Sequence, residues 1–533
     1  MKQSKLILWS VTSALAGFLF GFDTIVISGA EEAFQKLWKL DGFMHGLAMS
    51  MALWGTVVGA IFGGIPTAKY GRKKTLIWVG ILYFISALLS GIAPEVFSFM
   101  IARFIGGLGV GASTVAAPMF ISEISPANNR GKLAGMFQFN IVFGILVAFL
   151  SNYIIASYVD ADVAWRWMLG IESLPAIIYT LLAFSLPESP RWLISHAGRR
   201  EEGAKIFQQI NPEASAEEIE SLVQNVENAG SSSSSTEGFW SSRLTLPILL
   251  AFLIAFFNQF SGINIILYFA PRLLGLAGLE NALAASAALG VTNLIFTFVG
   301  LWLIDKLGRR SLLFIGSIGY IVSLGVCAFA FLTTPAFEVV SKAGDLSSSI
   351  AATQSVEEGN VYYSETDIKA INDGYSAAKE ALINASTIEG YEGSPVVIDT
   401  TANTEQVASI AETASKEASE LLGSMSIIVL LCLIGFIAAH AVGQGAVIWV
   451  FISEIFPNNH RASGQALGSS THWVCAAGLT FLFPIAMGVF TPGILFAFFC
   501  GMMVLQLIWV LTMVPETKGV SLEDIEKKLG IAK

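Results

Sequence analysis

Twelve apolar stretches, each long enough to cross a bilayer as a helix, divide this 533-residue sequence into two sets of six. A spanning helix needs about 20 mostly apolar residues. Such stretches occur near 6–30, 43–67, 75–93, 96–120, 133–157 and 164–186, and again near 245–273, 283–304, 311–333, 424–452, 464–490 and 492–514. Only 13% of the residues are charged and 54% are hydrophobic. A soluble core would leave that much apolar surface facing water, whereas lipid solvates it. In lipid the backbone must satisfy its own hydrogen bonds, so the spans are expected to be helices. The first stretch contains Asp23 and is longer than the apolar part of a cleavable signal. It reads as a retained span.

The short loops set the orientation. Lys69, Arg72, Lys73 and Lys74 follow span 2, and Arg130 and Lys132 follow span 4. Lys306, Arg309 and Arg310 follow span 8, and His460 and Arg461 follow span 10. All fall on one side with both termini and the 187–243 linker, so that side is expected to be cytoplasmic. The linker should form short helices before a flexible Ser run, Ser231 to Ser235. Residues 335–423 then lie outside. They hold 15 acidic and 4 basic residues and few large apolar ones. That composition predicts a weakly ordered excursion rather than an accessory domain, with helix over 405–422. The divisions are 1–186, 187–243, 244–334, 335–423, 424–514 and 515–533.

Most of the net charge of −10 sits in the insert, so no nucleic-acid partner is implied. The four cysteines lie in or beside apolar runs without metal-ligand spacing and read as small apolar filler. No phosphate loop, metal cluster or nucleophile–base pair stands out. The chain is not expected to be an enzyme or to need a cofactor or metal.

The two halves echo each other, as in transporters built from repeats. Gly63-Gly64 through Tyr70-Gly71-Arg72-Lys73 recurs as Gly300 through Asp305-Lys306-Leu307-Gly308-Arg309-Arg310. Ile121-Ser122-Glu123-Ile124-Ser125-Pro126 with Arg130 recurs as Ile452-Ser453-Glu454-Ile455-Phe456-Pro457 with Arg461. Pro187-Glu188 recurs as Pro515-Glu516. The copies stand further apart at the second motif, by about the length of the 335–423 insert.

These motifs, with Arg103-Phe-Ile-Gly-Gly-Leu-Gly-Val-Gly111, Pro187-Glu-Ser-Pro-Arg-Trp192, Gln259-Phe-Ser-Gly-Ile-Asn264 and Pro515-Glu-Thr-Lys-Gly519, resemble the sugar porter family of the major facilitator superfamily. The resemblance covers nearly the whole chain except the insert. It implies an all-α membrane protein of twelve transmembrane helices in two pseudo-symmetric six-helix bundles. It also implies a central sugar site and alternating access. A monomer in the cell inner membrane is expected. Arg72, Glu123, Arg130 and Glu188 in the first half, and Asp305, Arg309, Glu454, Arg461 and Glu516 in the second, are expected to pair between helix ends and latch the inner gate. Anchoring of helix ends is the simpler reading of the same residues. Ala68 stands where the superfamily motif often has Asp.

Asp23 lies mid-span in Phe20-Gly-Phe-Asp-Thr. A carboxylate there costs roughly 2.5–3.5 kcal/mol unless it is paired or protonated. Arg103 is the natural partner. Making and breaking that pair would release and load a proton. The resemblance supports this, because proton-linked members carry an Asp and an Arg at the matching positions. A static ion pair and sodium coupling are the other readings.

A sugar needs amides for its hydroxyls and an aromatic face for its C–H surface. Span 7 offers Asn258, Gln259, Asn264 and Tyr268, span 8 Asn293 and span 10 Trp449. By resemblance Phe20, Gln259, Asn264, Tyr268, Asn293 and Trp449 match sugar-lining positions. Ile145 stands where most members have a sugar-binding Gln, and His472-Trp473 where bacterial symporters often have Gln-Trp. His440 and His472 together look like animal fructose-type facilitators, while Trp449 fits the glucose-type branch. The expected activity is proton-coupled symport of a hexose or pentose, with facilitative uniport and a transporter-like sugar receptor as alternatives.

Overall fold

The computed structural model describes residues 3–125, 130–231, 238–357, 365–457, 460–520 and 522–531. Twelve helices among them are long and apolar enough to cross a membrane: Leu6–Gly29, Gly42–Phe62, Arg72–Ile92, Val96–Ile124, Gly135–Tyr158 and Ala161–Phe184, then Ser242–Tyr268, Ala282–Leu307, Arg309–Thr333, Ser424–Ile455, Arg461–Met487 and Pro492–Thr512. They are called spans 1 to 12. Their number and order agree with the apolar pattern.

Spans 6, 7 and 10 are each interrupted, span 6 between Ala161–Gly170 and Ser173–Phe184. In span 7 Gly262 has φ 87°, a left-handed conformation that separates Thr245–Phe260 from Ile263–Tyr268. A side chain at that φ is strained, and a Cβ would lie 3.1 Å from the Phe499 ring. Span 10 breaks at Gly443, between Ser424–Val442 and Gln444–Ile455.

The apolar core shows how the bundles meet. One large cluster runs from the C-terminal bundle into the insert-side half of the N-terminal bundle, through Phe22, Ile25, Phe34, Met49, Leu53, Phe99 and Phe149. The other half of the N-terminal bundle, nearer the chain termini, has its own core around Trp9, Val79, Tyr83, Phe120 and Phe137. The bundles are therefore fused on the insert side and separate on the termini side.

Three helices follow the sixth span: Pro190–Ser195, Arg200–Ile210 and Ala216–Ser231. They pack through Ile194, Phe207, Ile219, Val223 and Val226. Of the Ser run, Ser232 to Ser235 fall outside the described residues.

The insert departs from the sequence expectation of weak order. It forms three packed helices, Ala336–Glu357, Glu365–Ser386 and Thr404–Leu422. The last starts at a capping box of Asn403 and Gln406. Its Val407, Ala411, Ala414, Ala418 and Leu422 form one buried stripe, against Val339, Ala343, Leu346 and Ile350 of the first. Alanine at helical spacing lets backbones approach closely, so few large side chains are needed. Counting large apolar residues undervalued this segment.

Candidate functional site

The amides of span 7 gather around its break. Gln259 Nε2 donates to Asn258 Oδ1 (2.9 Å), and Asn264 Nδ2 donates to Gln259 Oε1 (2.8 Å). Gln259 Nε2 also lies 3.1 Å from His472 Nδ1, joining span 7 to span 11. His472 packs between Trp449 (ring centroids 5.4 Å) and Trp473 (4.8 Å). Phe20 of the other bundle reaches Trp473, with ring centroids 5.6 Å apart. Phe20, Asn264, Trp449 and His472 keep accessible surface although they sit in the middle of the molecule. Amide donors and acceptors, an imidazole and indole faces thus converge between the bundles.

Two expected members stand apart. His440 Nδ1 is 2.7 Å from the Tyr320 hydroxyl on span 9, and makes no hydrogen bond to the amide cluster. Asn293 is largely buried on span 8 and likewise makes none. Ile145 packs into the shared apolar core.

Beside this cluster lies a buried charge group. Arg103 Nη1 donates to Asp23 Oδ1 (2.7 Å), and Nη2 donates to the Asp23 carbonyl (3.0 Å). Both side chains are 1% exposed. A second buried carboxyl was not read from the sequence: Glu172, in span 6, lies within electrostatic reach of Asp23 and Arg103. Neither Glu172 oxygen has a hydrogen-bond partner among the described residues. Tyr268 is within electrostatic reach of Asp23 and Arg103 and lies beside Thr24, which links the charge group to span 7. The signal for Glu172 was present, since an acid inside an apolar span is expensive wherever it falls.

The repeated charged motifs build the same corner twice. Arg72 donates to Glu123 through Nε (2.8 Å) and Nη2 (2.7 Å), and Nη1 reaches the Thr67 carbonyl. Arg309 donates to Glu454 through Nε (3.0 Å) and Nη2 (2.6 Å), and Nη1 reaches the Ile304 carbonyl. Glu188 accepts from the backbone N–H groups of Arg72 and Lys73, and Glu516 from those of Arg309 and Arg310. These carboxylates cap spans 3 and 9, where four N–H groups would otherwise lack partners. Gly71 (φ 96°) and Gly308 (φ 91°) let the chain turn directly against them. Asp305 is 84% exposed, 3.4 Å from Arg309. Arg461 does not join the Arg309–Glu454 pair, and its Nε is buried without a hydrogen-bond partner. The Arg130 side chain lies outside the described residues. In this arrangement, with the bundles apart on the termini side, no ion pair of these residues among the described residues spans the two halves. The Arg72 and Arg309 pairs each stay inside one bundle, because each motif lies at the ends of neighbouring helices of its own half.

An ion pair that crosses between the bundles lies on the insert side. Arg272, just beyond span 7, donates to both oxygens of Glu31, just beyond span 1 (2.7 and 2.8 Å), and also to Gln35. His45 Nε2 of span 2 lies 3.1 Å from Glu31. Burial works against the Glu31 charge, but Arg272 and His45 outweigh it and hold its carboxyl at about 2. Around it, Phe43 meets Phe481 edge-on at 5.3 Å, and Gly42 and Gly46 abut the Phe481–Ile485 backbone of span 11.

The family model described as sugar (and other) transporter matches residues 9–352 and 407–529. The chain belongs to the sugar porter family. The gap in that match lies inside the insert. This sugar porter is 30% identical to the arabinose-proton symporter of Bacillus subtilis, over 98% of this chain and 94% of the relative. It is 27% identical to the D-xylose-proton symporter of Escherichia coli, over 97% of this chain and 94% of the relative. Among solved structures it matches the inward-open xylose transporter from E. coli with TM-score 0.73 and 26% identity, covering 98% of this chain and 99% of that one. The form of that proton:xylose symporter bound to 6-bromo-6-deoxy-D-glucose matches less closely, at TM-score 0.66 and 27% identity, over 99% and 100% of the two chains. The fold is thus the major facilitator fold, all-α with twelve spans.

Proposed function

We propose that this sugar porter carries a monosaccharide together with a proton, by rocking its two bundles about a central site. The observation that carries the proposal is the Asp23–Arg103–Glu172 group, buried mid-span and linked through Tyr268 to the amide and indole cluster. Two carboxyls and one guanidinium in apolar surroundings are neutral overall only with one proton aboard. Losing that proton leaves a net charge away from water, which burial opposes. Proton occupancy is therefore tied to whether the group is closed off or open to water. Sugar binding that moves Tyr268 biases the same change. The names of the symporter relatives support this reading.

In the amide cluster, Gln259 and Asn264 exchange their mutual hydrogen bonds for sugar hydroxyls, and the Trp449 and Trp473 faces cover the sugar's C–H surface. His472 offers one more polar contact in the place of the family's Gln. The termini face is taken as cytoplasmic because the basic loops lie there. The insert is then outside, and the present arrangement is closed to the outside. The chain works as a monomer in the cell inner membrane.

The test is sugar addition to de-energised cells expressing the protein, using glucose, fructose, galactose, xylose, arabinose and inositol in turn. The transported sugar should make the medium more alkaline. Uptake without alkalinisation would support facilitative uniport instead.

A further inference from the structure

A cavity of about 630 Å³ opens at the termini-side rim, between the start of span 3, the end of span 6 and the linker helices Pro190–Ser195 and Arg200–Ile210. It is far from the amide cluster and uses none of its residues. Its polar end carries Lys73, Lys74 and Arg199, and its apolar end Trp78, Ile81 and Phe184. Trp78 and Phe184 are 63% and 57% exposed on spans that lipid surrounds, so the cavity has a side open to the bilayer.

The charges within it are not balanced. Glu188 is committed to the backbone N–H groups of span 3, and Glu202 to Arg199 (2.6 Å). Among the described residues no carboxylate pairs with Lys73 or Lys74. The internal repeat sharpens the point. At the place of Lys73 the second half has Arg310, whose guanidinium is used on the Val510 and Leu511 carbonyls (3.3 and 2.6 Å). At the place of Lys74 it has Ser311. The first half therefore keeps two ammonium groups that no carboxylate among the described residues pairs, over an apolar slot. From Lys73 to Ile81 the helix rises ~12 Å, the distance from a phosphate past a glycerol to the upper acyl chain.

We propose that this rim cavity binds an anionic phospholipid, with its phosphate on Lys73 and Lys74 and an acyl chain against Trp78, Ile81 and Phe184. Basic groups near a membrane surface favour anionic lipid. Two such groups give roughly tenfold or more selectivity over a zwitterionic lipid.

The test uses the full-length protein in detergent, titrated with phosphatidylglycerol or phosphatidylcholine and read by native mass spectrometry. One phosphatidylglycerol should bind at least tenfold more tightly than phosphatidylcholine. Lys73→Gln with Lys74→Gln should abolish that preference. Ile81→Trp, which fills the slot and leaves both cations, should weaken both lipids. Lys205→Gln, on an exposed linker position, should change nothing. Equal affinity for the two lipids, or the same loss in the Lys205 control as in the Lys73/Lys74 variant, would overturn the assignment. The readout does not depend on sugar or proton transport.

Discussion

Glu31→Gln removes the charge that Arg272 and His45 hold across the two bundles. In the closed arrangement the Glu31 carboxyl sits at about 2, against an ordinary value of 4.5. At 1.36 kcal/mol per tenfold change, that difference corresponds to about 3 kcal/mol favouring closure, or roughly 300-fold in the equilibrium. It is an upper value, since Arg272 is 23% exposed and water takes over part of the lost pairing. The sign follows from the lowered value. The contribution is complete above pH 4.5 and fades as the pH falls toward 2. Pulsed EPR between labels at Glu95 and Val489, exposed loop positions on the insert side, reads the separation of the bundles there. At pH 7.5 the wild type should give mainly the short distance. Glu31→Gln should shift population to a longer one. Acidification below pH 4.5 should lengthen the wild-type distance and leave the variant unchanged. Identical distributions for both proteins at pH 7.5 would refute the reasoning.

Gly262→Ala should lower the melting temperature of the purified protein, because φ 87° strains a side chain by about 1–3 kcal/mol. An unchanged melting temperature would mean that span 7 does not need this break. His472→Ala should raise the KM for the transported sugar about 5- to 30-fold, the loss of one or two hydrogen bonds, with kcat nearly unchanged. A fall in kcat alone would place His472 outside the binding site. Arg72→Ala should destabilise more than Arg309→Ala, measured by thermal melting. The Glu123 carboxylate it strands is 13% exposed, while Glu454 is 23% exposed and keeps a hydrogen bond from Thr517. Glu172→Gln should shift the pH dependence of uphill sugar uptake while sugar exchange at zero gradient persists. An unmoved pH profile would take Glu172 out of the proton group.

The twelve spans were legible because lipid demands one simple thing of each, some 20 apolar residues in a helix. The two-fold build was legible because Arg72, Glu123 and Glu188 recur as Arg309, Glu454 and Glu516. What pairs with what was less legible. The repeat shows that an acid and a base keep their spacing, but not that Glu188 and Glu516 face backbone N–H groups rather than guanidinium groups. Asp23 stood out against its apolar neighbours, and Glu172 in the middle of span 6 offered the same signal, whereas Glu31 lies just past a span end, where an acid is unremarkable. Only the folded chain brings Glu172 to Asp23 and Glu31 to Arg272. The insert misled for another reason. Its stability rests on alanine stripes, which composition alone does not separate from a polar tether. His440 also illustrates the limit, because its partner Tyr320 is 120 residues away.

Proton coupling through Asp23 is tested most directly in proteoliposomes containing Asp23→Asn. The asparagine keeps the size of the side chain and cannot carry the exchangeable proton. The account predicts that counterflow of labelled sugar continues while an imposed pH gradient no longer drives accumulation above the external level. Accumulation by Asp23→Asn equal to that of the wild type would contradict it.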